Sequence, residues 1–118
     1  MDGRKIIIST AILILAAQTI VSCTYIRDEV TPQTCSTTPS FSVEVQPIVQ
    51  MYCAYTIACH GSGSINGPGP LTSYLTIKAS ADLIKNAVVS RRMPLGSSLP
   101  DQHIQTIKCW IELGSLNN

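Results

Sequence analysis

With 118 residues, 8 lysines and arginines against 7 aspartates and glutamates, and only 5% aromatic residues, the chain has room for one small domain. It carries neither the basic stripe nor the aromatic platform of a nucleic-acid binder, so nucleic acid is excluded as an expected partner.

The chain opens on a leader. Arg4 and Lys5 precede a run from Ile6 to Val21 that is almost wholly apolar, and Ser22-Cys23 closes it. The run is short for a spanning helix and ends in a small residue at a processing point, which is the pattern of a secretory signal peptide. Its end, Ile20-Val21-Ser22-Cys23, resembles the lipobox of bacterial lipoproteins. That resemblance implies removal of residues 1–22 and acylation of Cys23, with an ordinary signal cut nearby or an uncleaved N-terminal anchor as the alternatives. Several buried acyl methylenes, each contributing about 0.8 kcal/mol, would hold the protein to a membrane. The expected location is therefore exported and lipid-anchored to a bacterial membrane, on the periplasmic side or at the cell surface. Thr24 after Cys23, where there is no aspartate, favours the outer membrane by analogy with lipoprotein sorting. Loss of the leader removes Asp2, Arg4 and Lys5, leaving six acidic and six basic residues and a formal charge of zero. Docking to a partner must then use local patches. Export also places the thiols in an oxidising compartment, where paired cysteines are cross-links or cofactor anchors more often than free catalytic groups.

Residues 23–40 form a polar linker with Pro32, Pro39 and a Ser/Thr cluster, and no regular structure is expected there. The domain occupies 41–118. Pro47 suits the first turn of a helix reaching Cys53, with Ile48, Met51 and Tyr52 on its apolar face. Residues 61–70 alternate glycine, serine and proline and read as a loop. Leu71 to Lys78 reads as a short helix containing Tyr74. A further helix starts at Ser80, whose hydroxyl is expected to cap it, and runs to Val89. Asp82 in its first turn suits the helix dipole. Pro94 biases Met93 towards extended backbone, which leaves the thioether on a loop. The last helix spans roughly Pro100 to Leu113, with Ile104, Ile107, Trp110 and Ile111 on one side and Gly114 as its terminator. It is expected to pack across the first helix and bury Trp110. No strand pattern of any length occurs, so the fold class is all-α.

Chemistry concentrates at Cys53-Ala54-Tyr55-Thr56-Ile57-Ala58-Cys59-His60. Two cysteines followed at once by a histidine is the attachment arrangement of c-type haem, usually spelled C-x-x-C-H. Each thiol can add across a haem vinyl group, and the adjacent neutral imidazole is a good iron ligand. Here five residues separate the cysteines. Two intervening residues let one helical turn span the vinyls; five can do so only if Ala54 to Ala58 bulge outwards. A glycine-rich loop just downstream lets backbone approach a flat cofactor and can offer a carbonyl to the second ring nitrogen of His60. The competing readings are a Cys53–Cys59 disulfide in a haem-less chain, or a zinc site that would have to recruit Cys35, Cys109 and His103 without a recognised spacing.

Taken together, these pieces resemble a class I c-type cytochrome domain of the kind found in small bacterial lipoproteins. The matching stretches run in the family's order over about 42–118: Pro47-Ile48, Cys59-His60-Gly61, the glycine/proline loop, Leu71 to Tyr74, Met93-Pro94 with Gly96, and Trp110-Ile111-Glu112-Leu113-Gly114. The resemblance implies a small helical bundle around a haem pocket. Haem c would be joined covalently through Cys53 and Cys59, and iron would be bound by His60 and Met93. It implies a membrane-anchored carrier of single electrons between redox protein partners, with no small-molecule substrate and no enzymatic activity, since six-coordinate iron lacks the open position that oxygen chemistry needs. The alternative is a haem-less, disulfide-stapled lipoprotein module for interaction or support on the same scaffold.

The remaining cysteines, Cys35 and Cys109, read as a disulfide pinning the linker to the last helix, with two unlinked thiols as the alternative. Closing so long a loop stabilises by about 4 kcal/mol in the chain-entropy treatment. Arg91 and Arg92 can pair with haem propionates or simply lie on the surface. His103 is expected to be solvated, and Tyr74 to serve packing.

Overall fold

The computed structural model describes residues 34–118. The leader, the acylation expected at Cys23 and the linker as far as residue 33 lie outside the described residues. Residues 34–40 carry no helix or strand.

The folded part starts at Ser40. Its hydroxyl accepts from the Val43 N–H (3.4 Å), and its own N–H donates to the Glu44 carboxylate (2.7 Å). These reciprocal bonds satisfy donors that a helix start would otherwise leave bare. The first turn, Phe41–Val45, is wound wide: the Val45 N–H reaches the Ser40 carbonyl at 3.1 Å and the Gln46 N–H reaches that of Phe41. This π-helical turn runs directly into α1, Gln46–Tyr52. It also sets which face of α1 turns inward. Phe41, Val45, Ile48 and Val49 are buried, whereas Met51 is 67% exposed. Of the expected face, Ile48 is buried and Tyr52 packs against the core, whereas Met51 is corrected. The wide turn places its own buried residues first, and Val49 rather than Met51 continues their stripe.

Helix α2 covers Tyr74–Ala79, α3 covers Ala81–Val89 and α4 covers Asp101–Glu112. Among the described residues there is no strand, so the all-α class stands, and no helix is long and apolar enough to cross a membrane. The capping hydroxyl lies elsewhere than expected. Ser80 occupies the position before α3 but makes no capping bond, because it also closes α2 and its backbone is already turned there. Ser73 instead exchanges bonds with Thr76 at the start of α2.

Helix α4 packs against α3 and the π-helical turn. Trp110 is completely buried there, with its ring 5.5 Å from that of Phe41 and its indole N–H donating to the Leu116 carbonyl at 2.8 Å. Phe41 also meets Tyr74 edge-on at 5.1 Å, and the Tyr74 hydroxyl donates to the Ser115 carbonyl. Burial of the indole with its N–H bonded avoids the penalty of an unpaired donor. Towards α1 the last helix presents His103, whose ring lies 5.4 Å from that of Tyr52. The expectation of a solvated His103 fails here. Its Nδ1 is shielded and finds no hydrogen-bond partner among the described residues.

Two further ties close the bundle. A disulfide joins Cys35 to Cys109, 74 residues apart. The Asn118 main-chain carbonyl accepts from the Ser42 N–H and from the Ser40 and Ser42 hydroxyls, each at 3.0 Å, while its side-chain carbonyl accepts from the Phe41 N–H at 2.8 Å.

Candidate functional site

Helix α1 ends just before Cys53, and the chain then makes a loop that returns to its own start. The His60 N–H donates to the Cys53 carbonyl at 2.9 Å. In an α-helical turn the same bond joins residues four apart, which is the separation of the first cysteine and the histidine in C-x-x-C-H. Here they are seven positions apart, yet the backbone groups still meet. The surplus is put outside: Tyr55 and Ile57 are each 64% exposed, and Thr56 and Ala58 are exposed as well.

Three neighbours hold this bulge in place. The Gly61 N–H donates to the Thr56 carbonyl at 2.8 Å. A Cβ on Gly61 would lie 2.6 Å from that carbonyl, so only glycine fits beneath the bulge. The Ser64 hydroxyl donates to the Cys59 carbonyl, and the Asn66 side-chain N–H donates to the carbonyls of Ala58 (2.8 Å) and Cys59 (3.3 Å). Ser64 and Asn66 were not foreseen from the sequence. In a glycine/proline stretch they look like ordinary turn formers, and nothing local shows that their bonds reach back to the cysteines.

His60 is fixed from both sides. Besides its bond to Cys53, its carbonyl accepts from the Leu71 N–H at 2.8 Å. Its Nδ1 lies 3.2 Å from the Gly69 carbonyl. A carbonyl can only accept, so Nδ1 carries the proton and the neutral ring keeps its lone pair on Nε2. The loop does supply the carbonyl expected of it.

Met93 arrives from the other end of the domain. Helix α3 closes with the Arg91 N–H bonded to the Val88 carbonyl and the Arg92 N–H bonded to that of Ala87 (3.0 and 2.9 Å), and Arg91 adopts a φ of 55°. This is a Schellman turn with an arginine where glycine is usual. It throws Arg91 out to the Asp101 carboxylate and brings Arg92 and Met93 back along α3.

Cys53, Cys59, His60 and Met93 all line one cavity of about 760 Å³, together with Tyr52, Leu71, Ile84 and Val88. That volume falls within the range of about 300–1,000 Å³ usual for small-molecule sites. The two thiols in it are not bonded to each other. They also differ. Burial, and then the neighbouring Cys59, pushes the Cys53 thiol up to about 11, whereas the Tyr55 and Thr56 hydroxyls hold Cys59 below its ordinary range. Tyr55 rises in turn, through its hydrogen bond to Cys59. Cys35 and Cys109 are committed to their disulfide away from the cavity, which removes two of the donors that a zinc site would need. Among the described residues no three His, Cys, Asp or Glu side chains converge.

In comparisons with protein families, with curated proteins and with solved structures, the chain matches none.

Proposed function

We propose that the chain is an exported, lipid-anchored monohaem c-type cytochrome that passes single electrons between redox protein partners. The observation that carries this reading is the convergence of Cys53, Cys59, His60 and Met93 on one largely apolar cavity. Three of these come from the attachment loop, and Met93 comes from 33 residues beyond His60.

The donor set fits the group. Two unbonded thiols are available for thioether bonds. The His60 tautomer set by Gly69 offers Nε2 to a metal, and the Met93 thioether is the second donor typical of electron-carrying cytochromes. When bound, haem c supplies a one-electron iron couple. The protein's own part is to orient the imidazole through Gly69, to hold the two cysteines in register through the His60–Cys53 backbone bond, and to keep water from the centre with the Leu71, Ile84 and Val88 side chains. A largely apolar lining disfavours extra charge on the iron and so raises the potential.

The test is production in a host that attaches haem, followed by intact mass and a reduced-minus-oxidised spectrum after acid-acetone extraction. One covalent haem per chain and sharp bands are expected; a colourless chain whose mass is that of the lipidated protein without haem would sink the proposal and leave the haem-less module. A second variant addresses the bulge. Deleting Tyr55, Thr56 and Ile57 leaves Cys53-Ala54-Ala58-Cys59-His60, with the ordinary two residues between cysteines. Attachment by machinery specific for the short motif should rise in this variant.

A further inference from the structure

We infer that Arg92 is the anion receptor of the cavity, and that it pairs with a carboxylate on the ligand's edge, a propionate if the ligand is haem. The inference rests on the proposed function and goes a step further, to the chemistry that the cavity recognises at its charged point.

Two adjacent arginines precede Met93, and sequence alone gives them equal claims. The structure separates them. Arg91 takes the left-handed position of the turn and its guanidinium is engaged by the Asp101 carboxylate. Arg92 follows that turn, and its main-chain N–H is bonded to the Ala87 carbonyl. Arg92, itself exposed, is one of the residues that line the cavity, and among the described residues it is the only Lys, Arg, Asp or Glu there. The Nε–H donates to the Ser90 hydroxyl at 3.1 Å, which steadies the base of the guanidinium. Among the described residues its two terminal nitrogens have no acceptor. A planar fork of donors at the edge of a largely apolar cavity is suited to two parallel bonds with a carboxylate.

Among the described residues no carboxylate competes for the position. The nearest in sequence, Asp101, is held by Arg91, and no Asp or Glu lines the cavity. A flat apolar ligand with an ionised edge satisfies both the apolar walls and the single cation. A wholly neutral ligand would leave the charge unanswered.

The full chain, prepared without haem and with Cys53 and Cys59 reduced, can be titrated with protoporphyrin IX and with its dimethyl ester, which differ only at the two carboxylates. The diacid should bind at least about tenfold more tightly than the ester, the effect of one charge-assisted pair. Arg92→Gln should abolish the difference, Arg92→Lys should restore part of it, and Arg91→Gln should leave it intact. Equal binding of the two porphyrins by the unaltered chain, or a preference that survives Arg92→Gln, overturns the role of Arg92 while leaving the haem proposal standing. Binding of neither porphyrin also overturns the role of Arg92, while the haem proposal stands or falls on covalent attachment.

Discussion

The two cysteine pairs of the domain lie in surroundings of opposite character. Cys35 and Cys109 are 74 residues apart and bonded; Cys53 and Cys59 are near neighbours in sequence and free. Around the first pair the chain closes on itself, with Asn118 satisfying four donors of residues 40–42 and Trp110 completely buried nearby in α4. Around the second pair the backbone is also bonded, through His60 to Cys53 and Gly61 to Thr56, but Cys53, Cys59, His60 and Met93 line an open cavity. The difference teaches that nearness in sequence does not pair cysteines; the backbone framework does. It also suggests a division of labour. A domain this small buries little apolar surface, and one with a cavity of about 760 Å³ buries less, so a long-range cross-link offsets what the open side forgoes.

The sharpest break in that comparison comes from removing each pair in turn. Replacing Cys35 and Cys109 together by alanine should cost about 4 kcal/mol in urea unfolding, from the entropy returned to the unfolded chain. The matching Cys53/Cys59 replacement in haem-free protein should cost about 1 kcal/mol or less near neutral pH, since only two small, part-buried side chains are lost. Equal losses would mean that the open pair also serves the fold.

Next in size is a pH effect confined to the open side. The Cys53 thiol titrates near 9 when unfolded and is pushed up to about 11 when folded. Between those values the unfolded state has lost its proton and the native state has kept it, so stability falls as pH rises. The contribution of the neutral thiol is fully present below pH 9 and is lost by about pH 11, an expected decline of about 2–3 kcal/mol. Subtracting the profile of Cys53→Ala, with both proteins handled anaerobically and without reductant, isolates it. Parallel profiles would show that Cys53 is not shielded from water.

The sequence made the closed side more legible than the open one, for physical reasons. The stripe of Ile104, Ile107, Trp110 and Ile111 repeats at helical spacing, so α4 and the burial of Trp110 followed from periodicity. The face of α1 followed only in part: Ile48 and Tyr52 turn inward but Met51 does not, because a turn wound with five-residue bonds shifts the stripe and leaves no mark in composition. In the site, residue types carried the signal and connections did not. A carbonyl for His60 was foreseeable from the loop's composition, but the choice of Gly69 depends on how the loop folds back. Ser73 capped a helix that Ser80 did not, although both are serines at helix starts, because Ser80 must serve two helices at once. His103 escaped because its exposure depends on a distant partner, Tyr52.

A smaller effect tests how tightly the open side is framed. Gly61→Ala puts a methyl group 2.6 Å from the Thr56 carbonyl, and relief requires the whole bulge to shift. A loss of about 2 kcal/mol is expected, in the range of overpacked sites. Because Gly61 adjoins His60, the same variant should also weaken porphyrin binding. Alanine tolerated without either loss would mean that the bulge is loosely held.

The smallest effects contrast the two helix ends. Helix α4 closes with Gly114 at a φ of 105°, the Ser115 N–H bonded to the Trp110 carbonyl and the Gly114 N–H to that of Ile111. Helix α3 closes with the same pattern of bonds, but with Arg91 in the left-handed position. A side chain there costs about 1 kcal/mol relative to glycine. Gly114→Ala should therefore destabilise by about 1 kcal/mol, and Arg91→Gly should stabilise by up to about 1 kcal/mol, less whatever the exposed Arg91–Asp101 pair contributes, about 0–1 kcal/mol. Adding Asp101→Asn to both the parent and the Arg91→Gly chain separates the backbone gain from the ion pair by a double-mutant cycle. If Arg91→Gly destabilises even when Asp101 is absent, the arginine does more at this turn than hold the aspartate, and the delivery of Arg92 and Met93 to the cavity depends on it.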